Sequence, residues 1–379
     1  MVRSELLSST STRSSLSLQS ALSQQNTVYT LRNYISGSGY LNAVNSTGNG
    51  FSLYNFADYK IEFGKKWFLS TFIQFDFHHV TSDESVSLRY YDVKRTESSA
   101  SVALLYKPFS SLSLGVSLRQ QLSGSNWLKP MPAIQVEYRL LPTLVCKANV
   151  SRVLRSPSLN DLYFQPGGNP DLLPEESLMA EAGVQWSYKH KKFDVIADVT
   201  GFRSNIINWI MWRPTLRGYW TPENIASVQT CGIEAGLKAG IRSGKYTIQI
   251  NTGYTLSQSV NKTHSDNTED LSYGAQLPYI PLHSAMIYST ISRNGFYIGY
   301  QWNYYSERQT STAESSSRLV SLYPYFMSDL SAGKQFDFDL WALHLRIGVM
   351  NLFNESYRSV LWQPMPGRNY MLTLRCILK

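Results

Sequence analysis

Histidine, cysteine and carboxylate side chains are the groups most able to do chemistry, and in this chain of 379 residues they are scattered. The six histidines form no catalytic constellation, and no Gly-x-Ser-x-Gly, His-Glu-x-x-His or dinucleotide-binding glycine motif is present. Cys146, Cys231 and Cys376 are far apart and lie inside strand-like runs, which favours small apolar strand residues over a metal or redox role. We therefore predict no enzyme activity, no cofactor and no metal site.

One acidic segment offers oxygen and nitrogen ligands for a cation in a loop. Its candidate ligands are His264, Asp266, Glu269 and Asp270. Their spacing matches no tight calcium-binding loop, so a solvated acidic loop is the favoured interpretation.

Charged residues lie at the two ends of a long irregular segment. They are Arg152 and Arg155 on one side and Glu175, Glu176 and Glu181 on the other. Opposite charges at these positions could pair across the base of the segment and fix the direction in which it leaves. This structural role is favoured over direct contact with a ligand.

Aromatic residues in predicted loops or strand tips form a second candidate binding group: Tyr163, Trp212, Tyr219, Trp220 and Trp362. Their ring faces could grip a bulky ligand. The alternative is a role in loop packing or in an aromatic girdle at a membrane interface.

The irregular segment runs from Ser151 to Glu176, and it is the most specific feature of the sequence. Prolines at 157, 166, 170 and 174 remove backbone donors, so neither a helix nor a strand ladder can continue through it. A loop of this length needs a function or an anchor.

The amino-acid sequence of this segment resembles that of the long extracellular loop of TonB-dependent outer-membrane receptors. That family carries Arg-x-Pro, then Asn-Asp/Gln-Leu-Tyr, then Gly-Asn-Pro-x-Leu-x-Pro-Glu, and here these are residues 155–157, 160–163 and 168–175. Three later stretches are also similar to the receptors: residues 224–234, 277–283 and 351–370.

The elements on either side alternate apolar and polar residues with a period of two, which predicts strands. The clearest example is 245–257, where Tyr246, Ile248, Ile250, Tyr254 and Leu256 alternate with polar residues and glycine. The pattern predicts about 17 strands in an all-β, antiparallel transmembrane β-barrel. Predicted connections include a short turn at 23–26 and loops at 37–50 and 79–97.

Composition agrees with a barrel. Aromatic residues make up 13% of the chain, which suits interface girdles, and the mean hydropathy of -0.24 excludes a helical membrane protein. Strands of a barrel can have this hydropathy because half of their residues face a wet lumen.

The predicted number of strands is odd. A complete bacterial barrel made of one chain has an even number of strands, and the plugged transporters have about 22. We therefore interpret residues 1–379 as the C-terminal portion of a receptor barrel, with about 17 of the 22 strands. The plug domain, its energy-coupling segment and a signal peptide are expected to be absent from this chain.

The resemblance implies capture and passage of a scarce bulky nutrient at the outer membrane of a Gram-negative bacterium. Cobalamin and ferric siderophores stay open, whereas the lack of histidine between Pro157 and Asn169 argues against haem. The implied partners are outer-membrane lipid, the small-molecule ligand and a TonB-type energy-coupling protein acting through the plug domain.

Other classes of protein remain as alternatives. A passive porin or protein-export barrel would share the strand pattern, a lipid hydrolase would need a Ser-His pair on the lipid face, and a soluble β-repeat protein would need internal repeats. The net charge of +8 is dispersed, with its densest cluster at Lys189–Lys192, so no nucleic-acid partner is predicted.

Overall fold

The computed structural model describes residues 2–11, 13–37, 39–86, 88–165, 167–214, 219–263, 273–310, 321–361, 363 and 365–378. Within these ranges the chain is all-β and antiparallel, which confirms the fold class predicted from the sequence. The helix of this part of the chain, α1 (Leu159–Tyr163), has five residues. No helix among the described residues is long and apolar enough to cross a membrane.

Strands β1 to β10 are Val2–Ser11, Ser14–Ile35, Gly39–Phe63, Trp67–Glu84, Arg89–Phe109, Leu112–Ser123, Asn126–Trp127, Met131–Leu141, Leu144–Arg155 and Glu175–His190. Strands β11 to β20 are Phe193–Pro214, Trp220–Ser243, Tyr246–Asn261, His283–Arg293, Phe296–Tyr305, Arg308–Gln309, Ser321–Leu322, Tyr325–Asp337, Trp341–Met350 and Asn369–Leu378.

The chain divides into two compact units. The first comprises residues 1–137, 149–179 and 205–227, and the second comprises residues 138–148, 180–204 and 228–379. In the first unit, each of β1 to β5 pairs antiparallel with the strand that follows it. In the second unit, β12 to β15 pair in chain order, and β18 then continues from β15 to β19 and β20.

Tight turns join alternate strand pairs. Asn294 and Gly295 connect β14 to β15 with φ angles of 50° and 76°. Two consecutive residues with positive φ form the type I′ turn that matches the twist of a two-residue hairpin. The Asn-Gly sequence at this point is therefore the local reason for the hairpin.

In the second unit the strands have two different faces. Ile233, Leu237 and Ile241 of β12 are 45%, 37% and 37% exposed. On the opposite face of β12, a Cβ atom added at Gly240 would lie 2.7 Å from Oδ1 of Asp194. One face is therefore apolar and exposed, while the other carries carboxylates packed against glycine.

Several predicted connections are wrong. The predicted turn at 23–26 lies inside β2, where Gln24, Gln25 and Asn26 pair with residues 51, 50 and 49 of β3. The predicted loop at 37–50 is mostly the first half of β3. The predicted loop at 79–97 is largely paired as well, for example Thr81 with Asp92. Cross-strand pairing overrides the turn preference of these polar residues.

The predicted number of strands agrees with the structure through compensating differences. Within the described residues, 17 strands have ten residues or more. Two predicted strands are fused in β2, while β1 was not predicted because residues 2–11 show little hydrophobic alternation. The irregular segment also differs from the prediction, since it contains α1, and strands β9 and β10 extend into it as far as Arg155 and from Glu175.

Candidate functional site

Residues 156–174, called the clamped loop below, begin with a helix whose start is fixed by a capping box. Ser158 is the N-cap, and its Oγ accepts a hydrogen bond from the backbone N–H of Asp161 at 3.0 Å. The Asp161 carboxylate in turn accepts from the backbone N–H of Ser158 at 2.9 Å. This reciprocal pair satisfies two amide donors at the helix start, so α1 forms despite its short length.

Ion pairs hold the two ends of the clamped loop together in the first unit. Arg155 donates from Nε and Nη2 to the two carboxylate oxygens of Glu175, at 2.5 and 2.6 Å. Arg152 donates to Glu176, and Lys129 donates to the other oxygen of Glu176 at 2.8 Å. Both flanking strand ends are thereby tied by charge-assisted hydrogen bonds, one of them bidentate.

These pairs shift the pKa values of Glu176 and Arg155. The hydrogen bond from Lys129 lowers the pKa of Glu176, an effect that desolvation opposes and Arg152 reinforces. The hydrogen bond to Glu175 raises the pKa of Arg155, against desolvation by burial. Both shifts favour the charged forms, so the Glu176 carboxylate and the Arg155 guanidinium stay charged at neutral pH.

Asp161 links the helix to a tryptophan of β11. Its side chain is buried, with 7% of the residue exposed, and its Oδ1 accepts the indole N–H of Trp212 at 3.0 Å. The Trp212 ring meets Phe164 edge-on at 5.8 Å between centroids, and Phe164 meets Tyr29 in the same way at 6.0 Å. Trp212 is therefore held by the clamped loop itself.

The second half of the clamped loop docks on β12 through two asparagines. Asn224 donates from Nδ2 to the carbonyl of Leu173 at 3.1 Å and accepts from the Leu173 amide at 2.8 Å. Asn169 donates to the carbonyl of Pro222 at 3.1 Å. Gly167 permits this approach, because a Cβ atom there would lie 1.9 Å from the Trp220 carbonyl oxygen.

The structure brings together most of the sequence-predicted residues that it describes. Arg152, Arg155, Glu175 and Glu176 form the base, and Trp212 packs against the loop. Tyr163 lies 6.1 Å from Tyr91 between ring centroids, and Tyr219 and Trp220 lie next to Gly167.

Other predicted residues lie elsewhere. Glu181 belongs to the second unit and makes no ion pair with any described residue. Trp362 and the four candidate cation ligands at 264, 266, 269 and 270 lie outside the described residues.

Three residues of the site were missed by reasoning from sequence. Lys129 lies in the connection before β8 and Asn224 in β12, so only the fold brings them to the loop. Asp161 could have been found, because the Ser-x-x-Asp spacing of 158–161 is a capping signal.

The site is therefore a loop braced by ion pairs at its base, with aromatic rings around it, on an all-β antiparallel chain. Residues 4–352 match the family described as "TonB dependent receptor-like, beta-barrel". The chain belongs to this family, which confirms the resemblance seen in the sequence.

Its relatives among curated proteins include vitamin B12 transporters. The chain is 28% identical over 233 residues to the Vitamin B12 transporter BtuB of Vibrio vulnificus, covering 60% of this chain and 34% of that protein. It is 33% identical over 121 residues to the BtuB of Photobacterium profundum, covering 31% of this chain and 19% of that protein. The matched part thus spans about a third or less of these relatives.

Solved structures give the same fold. The copper transporter OprC superposes with a TM-score of 0.70 at 14% identity, over 100% of this chain and 65% of that one. The ferric-catecholate import receptor Fiu of E. coli K12 gives 0.71 at 13% identity, over 100% of this chain and 63% of that one. At these identities the similarity shows the fold alone.

Proposed function

We propose that this chain is the ligand-binding and translocation barrel of an outer-membrane receptor for a scarce bulky nutrient, cobalamin or a ferric siderophore. The observation that carries the proposal is the clamped loop, which is braced by ion pairs at its base and surrounded by aromatic side chains at its middle. A rigid loop on a sheet scaffold is suited to selective capture, since little ordering is needed when the ligand binds.

Cobalamin is the favoured ligand because the curated relatives are named as vitamin B12 transporters. The ferric-catecholate receptor among the structural neighbours supports the siderophore alternative only through its fold. The lack of histidine between Pro157 and Asn169 disfavours a haem ligand.

Among the aromatic residues, Trp220 is the best candidate for ligand contact. It is 49% exposed, whereas Trp212 has its indole N–H bound to Asp161 and its ring against Phe164. Tyr163 and Tyr219 are secondary candidates, and Trp362 is retained from the sequence argument alone. Trp220 can therefore offer a ring face to a ligand without first breaking the loop.

Energy-dependent passage of the nutrient requires partner proteins, whereas a passive pore needs none. In the proposed function the barrel lies in the outer membrane of a Gram-negative bacterium, contacts lipid through its apolar strand faces and encloses a plug domain. A TonB-type energy-coupling protein acts on that plug to open the lumen.

The test is uptake by a receptor-deficient host that expresses the complete gene product. We expect saturable uptake of labelled cyanocobalamin or of one ferric siderophore, abolished by a proton-motive-force uncoupler. The change Trp220→Ala should raise the half-saturation concentration by about 2- to 10-fold, the usual weight of an aromatic contact. Trp186→Ala, in the second half of β10, is the matched control and should leave it unchanged.

Non-saturable entry of small solutes that is indifferent to the uncoupler would instead establish a passive porin. Equal effects of the two tryptophan changes would remove Trp220 from the ligand path.

A further inference from the structure

Strands β4 and β5 bring together three side chains that can ligate a metal. One oxygen of Asp76, one ring nitrogen of His78 and one oxygen of Glu97 lie within 4.8 Å of one another. Asp76 pairs directly with Glu97 across the two antiparallel strands, and His78 lies two residues further along the same face of β4. The strand register therefore fixes the cluster, which lies wholly in the first unit.

Only one of the two carboxylate oxygens of Asp76 has a hydrogen-bond partner among the described residues. The residue is 6% exposed, and its Oδ2 accepts a hydrogen bond from Nε2 of Gln74 at 2.5 Å. Its Oδ1 is buried and has no hydrogen-bond partner among the described residues. A buried carboxylate oxygen without a partner is costly, and native structures usually supply a donor or a cation.

His78 is already oriented in the way that metal-binding histidines usually are. Nδ1 of His78 lies 2.9 Å from Oγ of Ser52, and its ring meets Tyr54 edge-on at 5.5 Å between centroids. A hydrogen bond at one ring nitrogen fixes the orientation of the ring, and Nε2 is free to bind a metal when Nδ1 donates to Ser52. The contacts with Ser52 and Tyr54 of β3 hold the imidazole in place before any ion binds.

Two arginines lie around the cluster, and neither donates a hydrogen bond to Asp76. Arg95 donates to Oε1 of Glu97 at 2.8 Å, and its other terminal nitrogen donates to the carbonyl of Pro157 at 2.7 Å. Arg119 donates to Oγ of Ser99 at 3.2 Å, with its guanidinium 5.9 Å from the centre of the Phe72 ring. The positive charge of Arg119 also acts on Asp76, so a cation would compete with Arg95 for Glu97 and with the charge of Arg119 at Asp76.

We propose that Asp76, His78 and Glu97 form a binding site for a divalent first-row transition-metal ion, best represented by Zn²⁺. One imidazole nitrogen and two carboxylate oxygens are a ligand set that zinc takes readily, whereas calcium and magnesium prefer oxygen alone. Three protein ligands leave a coordination position for water, so the ion can exchange. The site is independent of the proposed nutrient ligand.

Two measurements on the complete protein in detergent test the site. After removal of metal by a chelator, calorimetric titration with Zn²⁺ should show one bound ion per protein. The binding of this ion should weaken when a residue of the cluster is replaced. X-ray absorption of the loaded wild-type protein should show imidazole nitrogen and carboxylate oxygen at about 2.0 to 2.2 Å, and no sulfur. The absorption spectrum needs no variant, so it decides even if a substitution prevents folding.

Three changes remove one ligand each: Asp76→Asn, His78→Gln and Glu97→Gln. Each should weaken Zn²⁺ binding by at least about 10- to 100-fold, the loss that even an outer-shell change typically causes. The matched control is His79→Gln, because His79 is the next residue of β4, lies on the opposite face and bonds Asp92 at 2.7 Å. This control should bind zinc as the wild type does.

The proposal is overturned if the wild type binds no stoichiometric zinc or if the spectrum shows sulfur or several imidazoles. It also falls if the three variants bind zinc with unchanged affinity, or if His79→Gln loses binding to the same extent.

Discussion

Glu175 is a buried carboxylate at the base of the clamped loop. Only 9% of it is exposed, and its carboxylate accepts two hydrogen bonds from Arg155 and one from the backbone N–H of Ile210 at 2.8 Å. It therefore connects β9, β10 and β11 through one side chain. A buried carboxylate needs this number of donors because its charge is otherwise expensive to desolvate.

Glu175→Gln tests this role at constant size. The amide loses the negative charge and can no longer accept the bidentate bond. We therefore expect the free energy of local opening of the loop base to fall by on the order of 1 to 3 kcal/mol. Hydrogen exchange of the amides in 156–174 should speed up accordingly. Glu181→Gln, six residues further along β10 and without an ion pair among the described residues, should leave that exchange unchanged.

If the two changes accelerate exchange equally, the effect is a general response to losing a carboxylate from β10. The specific role of Glu175 would then be wrong.

At the scale of elements, the pairing of β9 with β10 at the loop base responds to pH through Glu176. Lys129 and Arg152 lower its pKa below the ordinary value of 4.5, so folding favours the deprotonated form. The contribution is present in full above pH 4.5 and is lost as the pH falls through the lowered pKa. Because the Lys129 side chain is exposed, water and salt screen this ion pair, and the change in stability is small and local.

A nitroxide on Asp171→Cys, in a background with the three native cysteines replaced by serine, reports this change. We expect its motion to be constant between about pH 8 and pH 5, by the titration argument above, and to increase below about pH 4.5. In Lys129→Gln the increase should begin at a higher pH, since the largest cause of the lowered pKa is gone. A transition that Lys129→Gln does not move would exclude Glu176 as its origin.

Strand identity could be predicted from sequence wherever one face is apolar, and not elsewhere. β13 was predicted within a few residues because Tyr246, Ile248 and Ile250 mark one face, and the predicted bounds of β14 were equally close. β1 and the middle of β2 are rich in serine, glutamine and asparagine, which suit turns as well as strands. Their strand structure comes from pairing with a neighbour, which a local pattern does not reveal.

The candidate site shows the same limit. The charged residues flanking the loop could be identified because they lie close in sequence to its ends. The bond between Asp161 and Trp212 joins residues 51 positions apart, and the Asp76, His78 and Glu97 cluster depends on the register of β4 with β5. Sequence spacing does not fix a register between long strands, so these groups needed the structure.

For the whole molecule, insertion into a bilayer requires that one strand face meets lipid. Ile248 of β13 pairs with Ile241 on one side and with Ile291 on the other, so three isoleucines adjoin on one face. The next residue, Gln249, pairs with Gly240 and Thr290 on the opposite face.

Ile248→Arg should therefore destabilise the inserted protein by about 2 to 4 kcal/mol if this row lies near the bilayer midplane. Gln249→Arg, the matched control, should cost much less because its side chain reaches the polar face. The measurement is reversible unfolding by guanidinium chloride in lipid vesicles. Equal costs at both positions would contradict a lipid-facing isoleucine row.

The orientation of the whole molecule can be tested at the two ends of β10. The clamped loop precedes β10, and the tight turn at Lys191 and Lys192 follows it, so the proposed function predicts that the two lie on opposite sides of the outer membrane. Gly168 is unsuitable for a cysteine label, because a Cβ atom there would lie 2.6 Å from the backbone nitrogen of Phe164. Asp171 is exposed and suits the label.

In intact cells expressing the complete receptor without its native cysteines, Asp171→Cys should react with a membrane-impermeant maleimide. Lys192→Cys should react only after the outer membrane is permeabilised. If the clamped loop lies on the ligand path, saturating ligand should also slow the labelling of Asp171→Cys and leave that of Lys192→Cys unchanged. The reverse accessibility would place the clamped loop in the periplasm and remove the basis for assigning Trp220 to ligand capture.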